Sequence, residues 1–355
     1  MKNHDALFAI GRPFSPIYSI LMRIRESLYR ARLLPVASID VPVVSVGNLT
    51  LGGTGKTPIV QYIVRLLQDQ GWHPAVISRG YGGKSKEKIN IVSTGEKPLL
   101  DASYIGDEPR LLAESLKGIP VLTGAVRKFP AVRAVEMGAD VLVLDDGFQH
   151  MALARHLDLV LFNADSLAGN SRVFPGGDLR EPVKALSRSH AFILTGTCGR
   201  NRERARKFAE LLSGRFPNRP VFFAGYNPTG VYTGRVNEKS EKVETESLRA
   251  FSFLAFSGIA RPEGFEQTLQ ELNVHVVHFH PLPDHFGYRA QDLLDLEQIA
   301  EQKGADALIT TEKDMVKLKG VETERPLYTV QMEASLDDDF QNFLLARLAE
   351  FPGNG

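Results

Sequence analysis

The stretch "VVSVGNLTLGGTGKTPIVQYIVRLLQDQG", residues 43–71, constrains the fold more than any other part of the chain. An apolar run rich in Val leads into a glycine-dense loop. A segment with apolar residues at helical spacing follows. Strand, tight loop and helix in that order open an α/β unit, with the loop at the carboxyl end of a parallel strand. Further apolar runs near 41–46, 75–78, 120–122, 141–144, 157–162 and 191–194 are mostly rich in Val, Ile and Leu without alternation, as strands buried on both faces of a parallel sheet are. Helical stretches at 59–70 and 109–116 lie between them.

The loop carries the second half of a phosphate-loop pattern, Gly55-Lys56-Thr57, while the position of the first glycine is Thr50. Gly52 and Gly53 supply the flexibility that lets backbone N–H groups turn towards phosphate oxygens. Thr50, Leu51, Gly52, Gly53, Thr54, Gly55, Lys56 and Thr57 are therefore the expected nucleotide contacts. Lys56 would reach the β- and γ-phosphates and the Thr57 hydroxyl Mg²⁺. The helix is expected to begin at Pro58, whose missing N–H would be unpaired there anyway. The bland alternative is a glycine-rich turn with no ligand. "VLVLDDGFQH" ends an apolar strand in Asp145-Asp146, two carboxylates able to hold Mg²⁺ beside such a loop, or else an Asp-Gly turn. No N-K-x-D guanine signature is evident, which favours ATP over GTP.

Length and charge narrow the rest. The 355 residues, with 43% apolar content, suit two domains with real cores. Lys+Arg and Asp+Glu are both 42, so no nucleic-acid partner is expected. One cysteine, Cys198, allows no intrachain disulfide and fits a reducing compartment. Residues 226–248 are polar and turn-rich with two β-like pieces, read as a hairpin-like linker. A second strand–helix series follows, at 251–256, 263–271, 274–279, 291–301 and 307–310. The fold class is thus α/β: a parallel-sheet phosphate-loop domain over 36–225 and a smaller α/β domain over 249–355, with a cleft between them.

Several polar motifs are open to two readings. Asp107-Glu108 in "YIGDEP" precede a helix, either as a cap or as a general base. "PLPDHFGY" sets Asp284 beside His285, and His275, His278 and His280 come just before. Zinc is disfavoured because no cysteine is near and "HVVHFH" reads as a strand, so His285 suits proton transfer or substrate contact better. Arg79 in "SRGYGG" and Arg180 in "PGGDLREP" suit phosphate or structural carboxylates equally. Residues 1–35 hold six Lys/Arg against two Asp/Glu. Ile17, Ile20, Leu21, Ile24, Leu28 and Ala31 lie on one helical face there, and Arg23, Arg30 and Arg32 largely off it. Such a helix can lie in a membrane interface or dock on its own domain. No run reaches the length of a membrane span, and no secretory signal is visible.

Together "VGNLTLGGTGKTP", "SRGYGG", "GDEP", "LDDGFQH", "LREP", "SGIARPEGF", "PDHFGY" and "TTEKDMVK", in this order over residues 46–318, resemble the tetraacyldisaccharide 4′-kinase family, the lipid A 4′-kinases of Gram-negative bacteria. The resemblance includes the threonine at position 50. It implies phosphoryl transfer from ATP–Mg²⁺ to the 4′-hydroxyl of a tetraacylated glucosamine disaccharide 1-phosphate, a lipid A precursor. It also implies an enzyme at the cytoplasmic face of the inner membrane, held there through its N-terminal helix. No stable protein partner is expected. Asp107 would be the base, working with His285. Lys56 would stabilise the transferring group, and Thr57, Asp145 and Asp146 would hold Mg²⁺. Arg180 would contact phosphates, Tyr81 would help position a ligand, and Arg127 would be a further phosphate contact. The competing reading is a membrane-associated ATPase or GTPase switch, which would not need an acceptor-hydroxyl base.

Overall fold

The computed structural model describes residues 8–234, 241–244, 246–318 and 323–351. Its strands are β1 (Val43–Asn48), β2 (Pro74–Ser78), β3 (Asn90–Ser93), β4 (Val121–Thr123), β5 (Val141–Asp145), β6 (Leu157–Asn163) and β7 (Ala191–Thr195). They continue with β8 (Val221–Thr233), β9 (Glu241–Val243), β10 (Phe253–Ser257), β11 (Val276–Pro281), β12 (Ala307–Thr311) and β13 (Leu327–Ser335). All but β9 form one path, β11-β10-β12-β13-β8-β7-β6-β1-β5-β2-β4-β3, and β9 pairs with β8.

From β7 to β4 the neighbours run parallel. Parallel neighbours release their loops at the same sheet edge. β1 and β5 are adjacent, with Val46 opposite Asp145, so the glycine loop and the Asp145-Asp146 pair leave the sheet side by side. The central strands are buried throughout, as their unbroken apolar runs require. Ile59, Ile63 and Leu67 of the Lys56–Asp69 helix pack on one face with Val44, Val143 and Leu161. Phe162, Phe192 and Leu194 face the other way, against Ala205, Ala209 and Leu212 of the Arg202–Arg215 helix.

The two halves of the sheet are joined by β8. Its Val221–Ala224 part pairs parallel with β7, and from Gly225 onward it pairs antiparallel with β13. The expected linker therefore begins inside a long strand. Its second β-like piece, β9, pairs back on β8, and residues 235–240 and 245 lie outside the described residues. In the second half β10, β11, β12 and β13 are parallel, between the Pro262–Glu271 helix on one face and the Ala290–Lys303 helix on the other. The Asp338–Ala349 helix, expected with this half, returns to the first. Its Phe340, Leu344 and Leu348 are buried among Ile59, Ile63 and Phe222.

Candidate active site

The loop after β1 is held from beneath by its own carbonyls. Asn48 Nδ2 donates to the Thr50 carbonyl at 2.8 Å, the Thr195 hydroxyl to that of Thr54 at 2.7 Å, and the Tyr226 hydroxyl to that of Gly55 at 3.1 Å. Leu51 N–H donates to the Asp178 carbonyl at 2.6 Å. Gly55 has φ +71°, and a Cβ there would overlap the Tyr226 phenol oxygen, so glycine is required twice over. The helix begins at Lys56, two residues earlier than expected, and Pro58 sits in its first turn. Leu51, Gly52 and Gly53 form the exposed rim.

The Asp145-Asp146 pair is built asymmetrically. Asp145 is buried. Its Oδ2 accepts from the Ser78 hydroxyl at 3.1 Å, while its Oδ1 is enclosed without a partner among the described residues. Burial pushes its carboxyl up to about 7, with the Glu108 charge adding to the effect and Lys56 opposing it. Asp146 has φ +51° and lies 3.5 Å from Lys56 Nζ. Arg180 Nη1 donates to both its oxygens, at 3.0 and 2.9 Å. Burial alone would raise this carboxyl too, but Lys56 and Arg180 outweigh it and hold it at about 2. An enclosed carboxylate oxygen without a donor, beside a second charged carboxylate, suits a hard cation. Asp145, Asp146 and the half-buried Thr57 fit Mg²⁺. Arg127 is not a free phosphate contact. It is 3% exposed, and its Nη2 donates to the main-chain carbonyls of Asp145 and Asp146 at 2.7 and 2.9 Å. It braces the backbone of the pair.

Asp107 is the first residue of the Asp107–Ser115 helix rather than part of a loop. It follows Gly106, whose φ is +96°. A carboxylate is favoured in a first helical turn. His285, also with positive φ, comes from the second half and places Nδ1 3.1 Å from Asp107 Oδ2. Its Nε2 lies 3.2 Å from Lys313 Nζ. An ammonium cannot accept, so Nε2 is the acceptor and the ring proton on Nδ1 donates to Asp107. Lys313 also lies 3.5 Å from Asp284 and 3.9 Å from Glu108. The His285 N–H donates to the Gly258 carbonyl, and the Gly258 N–H donates to buried Asp314. Arg261, from the same "SGIARP" turn, bonds the Asn163 side chain across the halves.

Tyr81 is 76% exposed, near the start of the Asp107 helix, where its carbonyl faces Gly106. His278 and His280 lie along β11 with ring centroids 6.2 Å apart. The Ser15–Arg30 helix inverts the usual arrangement. Three of its polar side chains face the protein, Ser15 donating to Val173, Tyr18 to Arg180 and Arg25 to Gln149, while Arg23, Ser27 and Arg30 are exposed. Ile17, Ile20, Leu21 and Ile24 are 50–58% exposed.

A sequence profile of the tetraacyldisaccharide-1-P 4′-kinase family matches residues 7–349. The chain belongs to this family. A tetraacyldisaccharide 4′-kinase of Desulfotalea psychrophila is 45% identical over 352 residues, covering 99% of each chain. One of Geobacter sulfurreducens is 38% identical over 333 residues, covering 90% of each. The structure of LpxK from Aquifex aeolicus, described as an "apo" form in complex with ATP, superposes with a TM-score of 0.76. It is 30% identical, covering 95% of this chain and 98% of that one. The enzyme is thus a kinase of lipid A biosynthesis, and a hydrolytic switch is not favoured.

Some residues at this site carried no signal in the sequence. Thr195 ends an ordinary apolar strand, and Tyr226 sits in a turn-rich stretch. Lys313 stood inside "TTEKDMVK", but only the fold brings it to His285.

Proposed function

We propose that the enzyme transfers the γ-phosphoryl group of ATP to the 4′-hydroxyl of a tetraacyl disaccharide 1-phosphate, with Asp107 as the acceptor-side base. The carrying observation is the 3.1 Å contact between Asp107 of the first half and His285 of the second, at the sheet edge where the glycine loop also emerges. Asp107 Oδ2 is taken by His285, which leaves Oδ1 for the sugar hydroxyl. The imidazole, set between Lys313 and Asp107, orients that carboxylate. Loop residues 50–57 hold the triphosphate, and Lys56 neutralises charge on the transferring group. Thr57, Asp145 and Asp146 would hold Mg²⁺, which would supply charge neutralisation on the phosphates. Arg180 acts through Asp146, and Tyr81 lies at the rim for the ligand. Because the phosphoryl transition state is loose, alignment by these residues matters more than base strength. In this reading residues 36–225 form the donor domain and 249–355 contribute the acceptor side, with His285 already seated at Asp107.

The outward apolar face of the Ser15–Arg30 helix supports seating on the cytoplasmic leaflet of the inner membrane, where the lipid acceptor lies. Ile20, Ile24, Leu28, Ala31 and Leu33, with Arg23 and Ser27, line a shallow groove of about 350 Å³ on this face. Among the described residues no helix is long and apolar enough to cross a membrane.

The direct experiment follows label from γ-labelled ATP into detergent-dispersed tetraacyl disaccharide 1-phosphate, with Lys56→Ala as control. Label in the lipid, lost in the variant, is the expected result. Label released only as free phosphate would overturn the acceptor reading in favour of hydrolysis.

A further inference from the structure

A backbone cradle for phosphate works only if its N–H groups point at the ligand, and each peptide that turns its N–H outward turns a carbonyl inward. Those inward carbonyls are buried polar groups and need donors. In this loop the Thr54 and Gly55 peptides have theirs. The Thr195 hydroxyl, fully buried at the end of β7, donates to the Thr54 carbonyl at 2.7 Å. The Tyr226 hydroxyl, from β8, donates to the Gly55 carbonyl at 3.1 Å. Burial pushes the Tyr226 phenol well above its ordinary range, so it stays a donor. Among the described residues the N–H groups of Gly52, Gly53, Thr54 and Gly55 have no hydrogen-bond partner. The fit is close enough that position 55 cannot carry a Cβ without striking the Tyr226 phenol.

We infer that Thr195 and Tyr226 are positioning residues for ATP, fixing the Thr54 and Gly55 peptides with their N–H groups towards the triphosphate. Neither touches the ligand. Both reach the loop from strands outside its own strand–helix unit. Tyr226 lies just past the point where β8 leaves β7 for β13, so the strand that joins the halves of the sheet also sets the loop. The inference rests on reading this loop as the ATP site.

Calorimetric titration with ATP in the presence of Mg²⁺, on the full chain, separates the possibilities when combined with steady-state kinetics. Tyr226→Phe and Thr195→Val each remove one donor while keeping the shape. Each should weaken ATP binding about three- to tenfold, in keeping with the loss of one hydrogen bond. The KM for the lipid should stay at its wild-type value. Thr195→Ser retains the hydroxyl and should restore ATP affinity, which a role in packing alone would not predict. Thermal melts establish that each variant is folded. Wild-type ATP affinity in both donor-deleted variants overturns the inference while leaving the kinase reading standing. Equal changes in the two KM values would mark a general structural role and overturn it as well. If the wild-type enzyme itself binds no ATP, the donor-site reading fails and this inference fails with it.

Discussion

Both nitrogens of the His285 ring are engaged, Nδ1 by Asp107 and Nε2 by Lys313. That geometry makes His285 an orienting group and leaves the proton transfer to Asp107. Asp107→Asn keeps the shape and removes the base. It should lower kcat by about two to four orders of magnitude with little change in the KM for ATP. A variant that mainly raises the ATP KM would instead place Asp107 at the donor site. Lys313→Met removes the donor to Nε2 and the tie to Glu108. The ring then loses its anchor on one side, and kcat should fall about tenfold to a hundredfold. Lys313→Arg, which keeps the charge, should recover much of that loss. Equal kcat in Lys313→Met and wild type would show that Asp107 is enough to hold the ring. Asp107 and His285 could be picked out in the sequence because their motifs, "GDEP" and "PDHF", resemble those of the family. Lys313 lies in a different motif, "TTEKDMVK", and only the fold sets its Glu312–Met315 helix against the Asp107–Ser115 helix.

At the scale of elements, sequence periodicity located most of the parallel strands because burial on both faces leaves an unbroken apolar run. β13, "LYTVQMEAS", has no unbroken apolar run, since it mixes buried and part-exposed residues and pairs antiparallel with β8 along most of its length. β8 itself was hidden by "GYNPTG", whose turn-like composition is carried through an extended strand by pairing with β13. The N-terminal helix was legible as amphipathic, but which face turned inward was not, because periodicity gives a stripe and not its direction. The polar contacts of Ser15, Tyr18 and Arg25 settle it. These contacts and the apolar face are on different sides, so they can be changed independently. Replacing Ile17, Ile20, Leu21 and Ile24 together by Gln should leave the fold and the melting temperature nearly unchanged. The same variant should abolish co-sedimentation with anionic phospholipid vesicles. A quadruple variant that still sediments with vesicles would locate membrane contact elsewhere.

Across the whole molecule, the halves meet through charged side chains, and one of them is a carboxyl held in an unfavourable setting. Glu312 follows β12, accepts from the Met332 N–H at 3.4 Å, and lies near Arg65, Glu333 and Glu114 where the second half packs on the first. Burial pushes its carboxyl up to about 7, with the backbone bond and Arg65 only partly opposing. The unfolded chain titrates this group near the ordinary value of 4.5. Between those two values the native state holds the proton and the unfolded state does not. The native state therefore binds more protons there, and stability falls as pH rises through the window. Below it both states are protonated and the group contributes nothing. Above it the folded protein carries a buried charge, a cost on the order of 1–3 kcal/mol. Glu312→Gln keeps an acceptor for Met332 without the charge. Urea unfolding should give the variant and the wild type nearly equal stability at about pH 4, and the variant the higher stability at about pH 8. Asp145, also raised to about 7, titrates alike in both proteins, so taking their difference at each pH cancels its share. A difference that stays constant with pH would mean that Glu312 is ionised throughout, its charge balanced by Arg65 across the seam.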